Sequence, residues 1–363
     1  MLESERKSAL LREIRLRGAV RTQDVAQRLG VSPVTVRRDL RELADEGAVI
    51  KVHGGATAAP APHSPHHPTR RDDPSAVLGV LLPSADYYYA KTVRGAQEVA
   101  ARQGVRLVLA VSRNDPESEP ALIERFVDIG VDALLVAPAA PAGAPEGAAT
   151  WHRLGELPVP VVVVERESWL VPETLAHDAV FSDHRHGVQL ALAHLAELGH
   201  RRVVLALDTH TAPSLRIGEA FDQVAESLGL VTGLPRVGLP RAAADSEAVH
   251  QAVHELVRVC REAEATAVLV HPDHYAITLT ELAPRLGLSI PEQLSVIAYD
   301  DEQAGLAQPE LTAVAPAKAE LGRTAVMLAM TRLSAPLMEP STTRRVALLP
   351  TLTVRKSTIS PVG

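Results

Sequence analysis

The stretch SPVTVRRDLRELADEGAVIKVHGGA, residues 32–56, decides the fold of the N-terminal part of the chain. Its first half predicts a helix, because the Ser32 hydroxyl can cap a helix and Pro33 suits the first helical position. Gly47 can adopt the left-handed conformation that ends many helices. The second half predicts a short β-wing. A helix followed by a wing is typical of a module that reads DNA.

The predicted helix has one apolar side and one cationic side. At about 100° per residue, Val36, Leu40 and Leu43 fall in one narrow stripe that can pack against a core. A cationic side alone is typical of any solvated helix. The preceding segment therefore has to distinguish a solvated surface from a DNA-reading face. The residues that fan out on the cationic side are Val34, Arg37, Arg38 and Arg41.

Two further helical patterns precede this helix. Residues 4–17 carry leucine and isoleucine at helical spacing, and Thr22 can cap a second helix that buries Val25 and Leu29. A tight turn follows at Gly30. Such an arrangement places the last helix in the major groove, where arginines pair with guanine edges. We therefore predict that double-stranded operator DNA is a partner.

Residues 3–57 resemble the head of the DeoR family of bacterial transcription regulators, through the signature VSPVTVRRDLRELADEGAVIKVHGGA. The resemblance implies a winged helix-turn-helix whose wing, Lys51–His53, runs beside a phosphate strand. We expect Asp39 to orient a neighbouring arginine or to support the helix N-terminal half rather than to contact a base. The DNA-binding residues implied are Ser32, Val34, Thr35, Arg37, Arg38, Arg41, Lys51 and His53.

Length and charge divide the chain into a small head and a large body. At 363 residues the chain is long for one domain. Residues 1–59 carry a net charge of +3, which leaves −10 for the rest, so the head rather than the body should face the duplex. The single cysteine, Cys260, excludes an internal disulfide, and the sequence shows no export signal or membrane span. We expect a cytoplasmic protein.

A proline-rich linker separates head and body. Residues 57–75 contain five prolines in nineteen positions, a composition that favours extended chain. We therefore assign residues 1–57 to the head and 58–75 to the linker. Histidines at 63, 66 and 67 lack a packed scaffold, and His250 and His254 lack a third ligand, so we expect neither a metal nor a cofactor.

Beyond the linker, short apolar runs alternate with helical segments. The runs include AVLGVLLP, VRLVLAV, DALLVAP, PVVVVE, RVVLAL, AVLVH and LSVIAY. Apolar runs of this kind are buried on both faces, so the alternation predicts an α/β fold with a parallel sheet covered by helices. The number of runs fits one large sheet or two smaller ones.

The motifs of residues 76–358 resemble the effector-binding domain of LacI/GalR regulators, which is related to periplasmic sugar-binding proteins. The stretches that carry the resemblance include GVDALLVAP, HLAELGHRRVVLAL, LSVIAYDD and PELTAVAPAKAELGRTAV. It implies a type I periplasmic-binding-protein-like domain with two Rossmann-like lobes and a small ligand between them. We assign about residues 76–178 and 316–343 to the first lobe, and about residues 179–315 and 344–358 to the second.

Candidate ligand residues follow the strands, because open α/β sheets bind ligands at the carboxyl ends of their strands. Carboxylates and arginines hydrogen-bond hydroxyl groups, which suits a sugar. The resemblance matches Asp300 to the family's effector-binding aspartate and Glu165 to an acidic cleft residue. Arg216 lies one position earlier than the family's arginine. The effector-binding candidates are Ser84, Asp86, Tyr87, Glu165, Arg166, Arg216, Asp273 and Asp300.

Two features of the chain depart from LacI-type regulators. The linker has no match to their hinge helix, and Pro272 stands where an asparagine often precedes Asp273. The two resemblances together imply a hybrid of a DeoR-type reader and a sugar-binding-protein-type sensor.

These observations predict a ligand-responsive transcriptional regulator, a repressor rather than an activator, that acts as a homodimer and binds a sugar-like effector. The alternatives are an enzyme and a transport-binding protein acting on a sugar or sugar phosphate. The sequence lacks G-x-x-x-x-G-K-[ST], G-x-S-x-G and H-E-x-x-H, which argues against the common phosphate-loop, hydrolase and zinc-protease chemistries. A transport-binding protein would not need a DNA-reading head.

Overall fold

The computed structural model describes residues 6–7, 10, 19–45, 49–52, 55–58, 74–168, 171–241, 246–334 and 342–361. Most of the first predicted helix, the helix end at Gly47, and the linker with its three histidines lie outside the described residues. Of the first helix, residues 6, 7 and 10 are described, and all three are helical.

The head is a winged helix-turn-helix. Its elements in chain order are β1 (Ala19–Arg21), α1 (Thr22–Leu29), α2 (Pro33–Asp45), β2 (Val49–Val52) and β3 (Gly55–Ala58). The strands form an antiparallel sheet in the order β1-β3-β2, so β2 and β3 are the two strands of the predicted wing.

Helix α2 begins as its sequence predicts. The Thr35 backbone N–H donates to Ser32 Oγ at 3.1 Å, which satisfies one of the unpaired donors at the helix start. The apolar stripe is buried, with Val36, Leu40 and Leu43 at most 2% exposed. These side chains share one core with Leu10 and Val25.

The body alternates strands and helices from residue 76 onward. The first run is β4 (Ala76–Leu82), α3 (Tyr88–Gln103), β5 (Val105–Val111), α4 (Glu119–Ile129), β6 (Ala133–Val136), α5 (Ala148–Gly155), β7 (Val161–Val164) and β8 (Asp178–Ser182). The second run is α6 (His184–Glu197), β9 (Val203–Asp208), α7 (Ala212–Ser227), β10 (Arg236–Leu239), α8 (Ser246–Glu262), β11 (Ala267–His271), α9 (Asp273–Leu282), β12 (Ser295–Tyr299) and β13 (Thr312–Ala315). The chain then continues through α10 (Lys318–Ser334), β14 (Arg345–Leu348) and β15 (Thr351–Thr353).

These strands form two six-stranded sheets, so the body has the two Rossmann-like lobes that the motifs predict. The first sheet has the order β14-β8-β7-β6-β4-β5, and the second has the order β10-β9-β11-β12-β13-β15. The pairings are parallel except that of β15, which runs antiparallel to β13 at the edge of the second sheet. Both lobes therefore present the carboxyl ends of parallel strands to the region between them.

The lobe boundaries need a correction. Strand β8 pairs with β7 and β14 in the first sheet, so the first lobe extends through Ser182 instead of ending at 178. The second segment of the first lobe likewise ends at Leu348, the end of β14, and not at residue 343. Strands β8 and β14 are short, and the sequence alone does not say which sheet they join.

Helices α3 and α10 of the first lobe touch backbone to backbone. A Cβ atom on Gly95 would overlap the carbonyl oxygen of Ala319, and one on Gly322 would overlap that of Thr92. Glycine is therefore required at both positions if the helices are to approach this closely. The contact makes the two helices one packed unit.

Candidate functional site

A polar cluster occupies the region between the two sheets, where strand ends from both lobes meet. Glu165 follows β7 and Ser182 ends β8 in the first lobe, while His271 ends β11 and Asp300 follows β12 in the second. All four side chains are buried. Buried polar groups need hydrogen-bond partners. A group whose partners all lie in the protein has a structural role, and a group that lacks a partner is available to a ligand.

Glu165 is bound by its own lobe. Its Oε1 accepts hydrogen bonds from the hydroxyls of Tyr88 at 2.5 Å and Ser182 at 2.7 Å, and its Oε2 accepts from the Ser182 backbone N–H at 3.2 Å. The residue has a φ of 55°, in the left-handed region. Burial and the nearby Glu165 charge raise the pKa of the Tyr88 hydroxyl well above its usual value, so this hydroxyl stays a donor.

Asp300 is the least satisfied carboxylate of the cluster. It is 3% exposed, and its Oδ1 has no hydrogen-bond partner among the described residues. Its φ of 99° lies in the region that disfavours every residue except glycine. Burial raises its pKa from 3.8 to about 7, although the Lys318 charge acts in the opposite direction. Strain and an unpaired buried acceptor in one residue mark it as a functional candidate.

Asp273 holds loop 302–304. Its Oδ2 accepts backbone N–H groups of Glu302, Gln303 and Ala304 at 2.7, 2.7 and 3.1 Å, and its Oδ1 accepts the Tyr87 hydroxyl. Asp273 therefore shapes the loop after Asp300 and joins it to Tyr87 of the first lobe, and its contact with an effector stays a prediction.

The two candidate arginines are also engaged within the protein. Arg166 donates to the carbonyl oxygens of Pro138 at 2.7 Å and Glu165 at 2.8 Å, so it supports the backbone and does not pair with the Glu165 carboxylate. Arg216, on α7 of the second lobe, pairs with Glu167 of the first lobe and with Glu219 at 2.6 Å. Arg216 is thus an interlobe contact at the rim of the cleft.

The remaining candidates precede helix α3. Asp86 is exposed and Ser84 is partly exposed, with the Ser84 hydroxyl 3.4 Å from the Asp86 carbonyl oxygen. Tyr87 has a φ of 44° and places its ring edge-on to the His274 ring, with 5.9 Å between centroids. The structure therefore brings Tyr87 into the cluster and leaves Ser84 and Asp86 at its rim.

Several cluster residues were not predicted from the sequence. The Tyr299 hydroxyl lies 3.1 Å from His184 Nδ1, and His271 Nε2 lies 3.6 Å from Asp300 Oδ2. Burial lowers the pKa of His271 to about 3, so this imidazole is neutral. His271 and Tyr299 are the last residues of strands β11 and β12. The predicted residues were chosen because they lie at strand ends, so the same criterion could have identified these two. Lys318, at the start of α10, carried no such signal.

A cavity of about 320 Å³ opens beside this cluster, between the two lobes. Glu165, Ser182 and His184 line its inner end, and Arg216 lines it from α7. Asp300, which is 3% exposed, is not among the lining residues. The volume is at the lower end of the range that small-molecule sites occupy.

The outer surface of α2 is the second candidate site. Ser32, Val34, Arg37, Arg38 and Arg41 are exposed and Thr35 is half-buried, so this face is accessible. Lys51 lies in β2, but its side chain, like the whole of His53, lies outside the described residues.

Asp39 faces the opposite way, into the head. It is fully buried and binds the Arg6 guanidinium through both oxygens, at 2.5 and 3.1 Å. It therefore orients an arginine, as expected, but the arginine comes from the first helix rather than from α2.

In the parts of the chain that the structure describes, no three metal-binding side chains gather, and His250 and His254 lie on the exposed face of α8. None of the helices in the described ranges combines the length and the apolar character that a bilayer crossing needs.

Two family models match the chain. A model of the DeoR-like helix-turn-helix domain matches residues 6–60, and a model of the periplasmic binding protein-like domain matches residues 192–358. The first covers the winged head, and the second covers most of the second lobe together with α10 and β14.

Similar proteins with assigned names are transcriptional regulators. The arabinose metabolism transcriptional repressor of Geobacillus stearothermophilus is 25% identical over 300 residues, which cover 82% of this chain and 80% of the repressor. The regulator MalR of Streptomyces coelicolor is 27% identical over 353 residues, which cover 94% of this chain and 98% of MalR.

Solved structures of LacI family regulators share the fold of the body. A regulator from Rhizobium etli superposes with a TM-score of 0.65 at 22% identity, covering 78% of this chain and 99% of that structure. One from Enterococcus faecium, solved with bound ribose, has a TM-score of 0.63 at 24% identity and the same coverage.

Proposed function

We infer that this chain, which joins a DeoR-like helix-turn-helix domain to a periplasmic binding protein-like domain of the LacI-regulator fold, is a ligand-responsive DNA-binding transcriptional regulator. One observation carries the inference: the same chain holds an exposed arginine-bearing helix in a winged head, and a cavity between two lobes whose lining includes Glu165 and His184. The first fits a DNA groove and the second fits a small molecule. Named relatives that regulate sugar metabolism support a repressor of sugar-uptake or catabolic genes.

The proposed effector is a neutral, polyhydroxylated molecule of sugar size. Among the residues that line the cavity, Arg166, Arg185 and Arg216 already have partners within the protein, and Glu167 is paired with Arg216. Arg185, for example, donates to the Gln223 side chain. Glu165 also has partners, but its Oε2 accepts a single hydrogen bond, from the Ser182 backbone N–H, so this oxygen can accept another. A phosphorylated sugar would need cations that are free to bind it, whereas hydroxyl groups can be accepted by carboxylates.

Asp300 and Glu165 are the effector contacts that we propose first. Asp300 offers an unpaired carboxylate oxygen, and Glu165 lines the cavity directly. Because Asp300 is buried and does not line the cavity, its contact with the effector requires a rearrangement of the lobes around the ligand. An effector that binds one arrangement of the lobes more tightly than another increases the population of that arrangement.

A homodimer is the proposed active form. One head supplies one recognition helix, and two heads related by a two-fold axis would read two half-sites of an operator. The linker and the small head offer little surface for a stable association, so the body is the proposed site of dimer contact. The protein would act on DNA in the cytoplasm.

The proposed DNA contact predicts the result of replacing Arg37 by alanine. If this exposed arginine pairs with a guanine, operator affinity should fall by about 1–3 kcal/mol, while effector binding should not change. Fluorescence anisotropy with operator DNA measures the affinity, and a footprint on the same DNA should show two half-sites.

Glu247→Ala is a suitable control, because this residue is exposed on α8 of the body. Parent-like operator affinity in Arg37→Ala and in the equivalent Arg38→Ala variant would remove α2 as the recognition helix. A footprint over a single half-site would contradict the homodimer.

A further inference from the structure

We propose that Lys318 is the positioning residue that joins the Asp300 loop of the second lobe to helix α10 of the first, and thereby couples the two lobes. The sensor role of the cleft rests on the proposed function, but the interlobe link can be tested without it. Nothing in the motifs of the sequence singles out this lysine.

Lys318 is buried between three elements of the cluster. It is 3% exposed, and its Nζ donates to the Asp300 carbonyl oxygen and to Glu302 Oε1, the latter at 2.5 Å. The same Nζ lies 5.0 Å from the centroid of the Tyr88 ring, within the range of a cation–π contact. Tyr88 in turn donates to Glu165, so the lysine links the acidic residues of both lobes.

The position of Lys318 gives this link a mechanical consequence. It begins α10, which is packed backbone to backbone with α3 through Gly95 and Gly322. A displacement of loop 300–302 that pulls on the Lys318 ammonium therefore moves α10 and α3 together. A second lysine, Lys91 on α3, also contacts Glu302, at 3.1 Å, but its side chain is 50% exposed.

The charges around Asp300 determine how Lys318 acts on it. Asp273 on α9, Glu302 on the same loop and Glu165 at the end of β7 each disfavour ionisation of Asp300, and Lys318 favours it. His271 on β11 is neutral and lies 3.6 Å from the Asp300 carboxylate.

Three tyrosine hydroxyls complete the surroundings of Asp300. Tyr87 and Tyr88 face it from α3 and its N-terminus, and Tyr299 precedes it on β12. Burial, together with the neighbouring carboxylates, raises the pKa of each, so they remain uncharged. Lys318 is therefore the cation that favours the ionised form of Asp300 within the described residues.

The test compares the pH dependence of thermal stability in two backgrounds, the parent with Lys318 and the Lys318→Met variant, without any ligand. In each background, the melting temperature of the protein with Asp300→Asn is compared with that of the protein with Asp300, from pH 4 to pH 9. The increase in melting temperature caused by Asp300→Asn should grow with pH and should level off at the pH where Asp300 ionises in the folded protein. In the Lys318→Met background we expect this pH to be higher by about 1 unit or more, because the attracting charge has gone.

A second readout measures the link between the lobes. Spin labels at Asp128 on α4 and His254 on α8, both exposed, report the interlobe distance once Cys260 is replaced by alanine. Lys318→Met should broaden the distance distribution. Lys91→Met is the matched control, because it removes an exposed contact to the same Glu302 and should leave both readouts near the parent values.

The outcomes separate this inference from the proposed function. If Lys318→Met leaves both the pH of Asp300 ionisation and the interlobe distances unchanged, Lys318 is not a positioning residue. If Lys318→Met does not fold, Lys318→Gln retains a polar N–H donor, lacks the charge and should give the same pH shift. If ribose, arabinose and maltose all fail to bind the parent while both readouts change as expected, the link holds and the sugar-sensor proposal fails.

Discussion

Replacing Asp39 by alanine should unfold the head and abolish operator binding while the body stays folded. The change leaves the Arg6 guanidinium buried without its carboxylate, and breaking a buried ion pair in this way costs about 3–5 kcal/mol. A small domain has a total stability of similar size. Calorimetry of the full chain should therefore lose the transition of the head and keep that of the body, and anisotropy should detect no specific operator complex.

Glu42→Ala is the matched control for this prediction. Glu42 lies one turn further along α2 and pairs with Lys7 of the first helix at 2.8 Å, but both side chains are partly exposed. Exposed pairs contribute about 1 kcal/mol or less, so this variant should retain a folded head. A parent-like operator affinity in Asp39→Ala would mean that the Arg6–Asp39 pair does not hold the head together.

Replacing Asp300 by asparagine should stabilise the unliganded protein, and only above about pH 4. The pKa of Asp300 is raised from 3.8 to about 7 by burial, so the folded protein keeps a proton that the unfolded chain loses. Stability therefore falls as pH rises from about 4 to 7 and stays low above 7. The asparagine variant avoids this loss, and the difference should reach about 2–4 kcal/mol at pH 8. Denaturant unfolding across this pH range measures it.

The neighbouring Asp301 provides a control with the opposite sign. Its carboxylate pairs with Arg355 at 2.8 Å and accepts from Thr353 at 3.1 Å, so Asp301→Asn removes a stabilising contact and should lower stability. Equal stabilities of the parent and Asp300→Asn at pH 8 would contradict the account of Asp300 as a strained, unsatisfied carboxylate.

The architecture was predictable because local patterns determine it. The Ser32 cap, the apolar stripe of α2 and the short wing are contained in 25 consecutive residues, and the structure places all three as the pattern predicts. The alternation of apolar runs and helices likewise predicts the two Rossmann-like lobes. The lobe boundaries were set too early, because the pairing of β8 with β14 depends on residues more than 150 positions apart.

The cleft was only partly predictable, since position after a strand does not reveal partners. Asp273 and Asp300 both follow β-strands, yet three backbone N–H groups from loop 302–304 occupy one oxygen of Asp273, while one oxygen of Asp300 has no partner among the described residues. Arg166 was predicted to contact a ligand because it follows a strand, and in the structure its guanidinium donates to backbone carbonyl oxygens. Lys318 comes from a helix start and is brought to Asp300 by tertiary packing alone.

Ligand-responsive DNA binding is tested by measuring operator affinity with and without an effector. Thermal melting with ribose, arabinose and maltose first identifies a sugar that raises the melting temperature, because a ligand that binds only the folded state stabilises it. Anisotropy then gives the operator Kd with and without that sugar at saturation. We expect the operator Kd to change by about 5-fold or more, the usual lower limit of coupling between two sites, and we expect Asp300→Asn to need a higher sugar concentration for the same change. A sugar that binds the body and leaves the operator Kd unchanged would contradict this expectation.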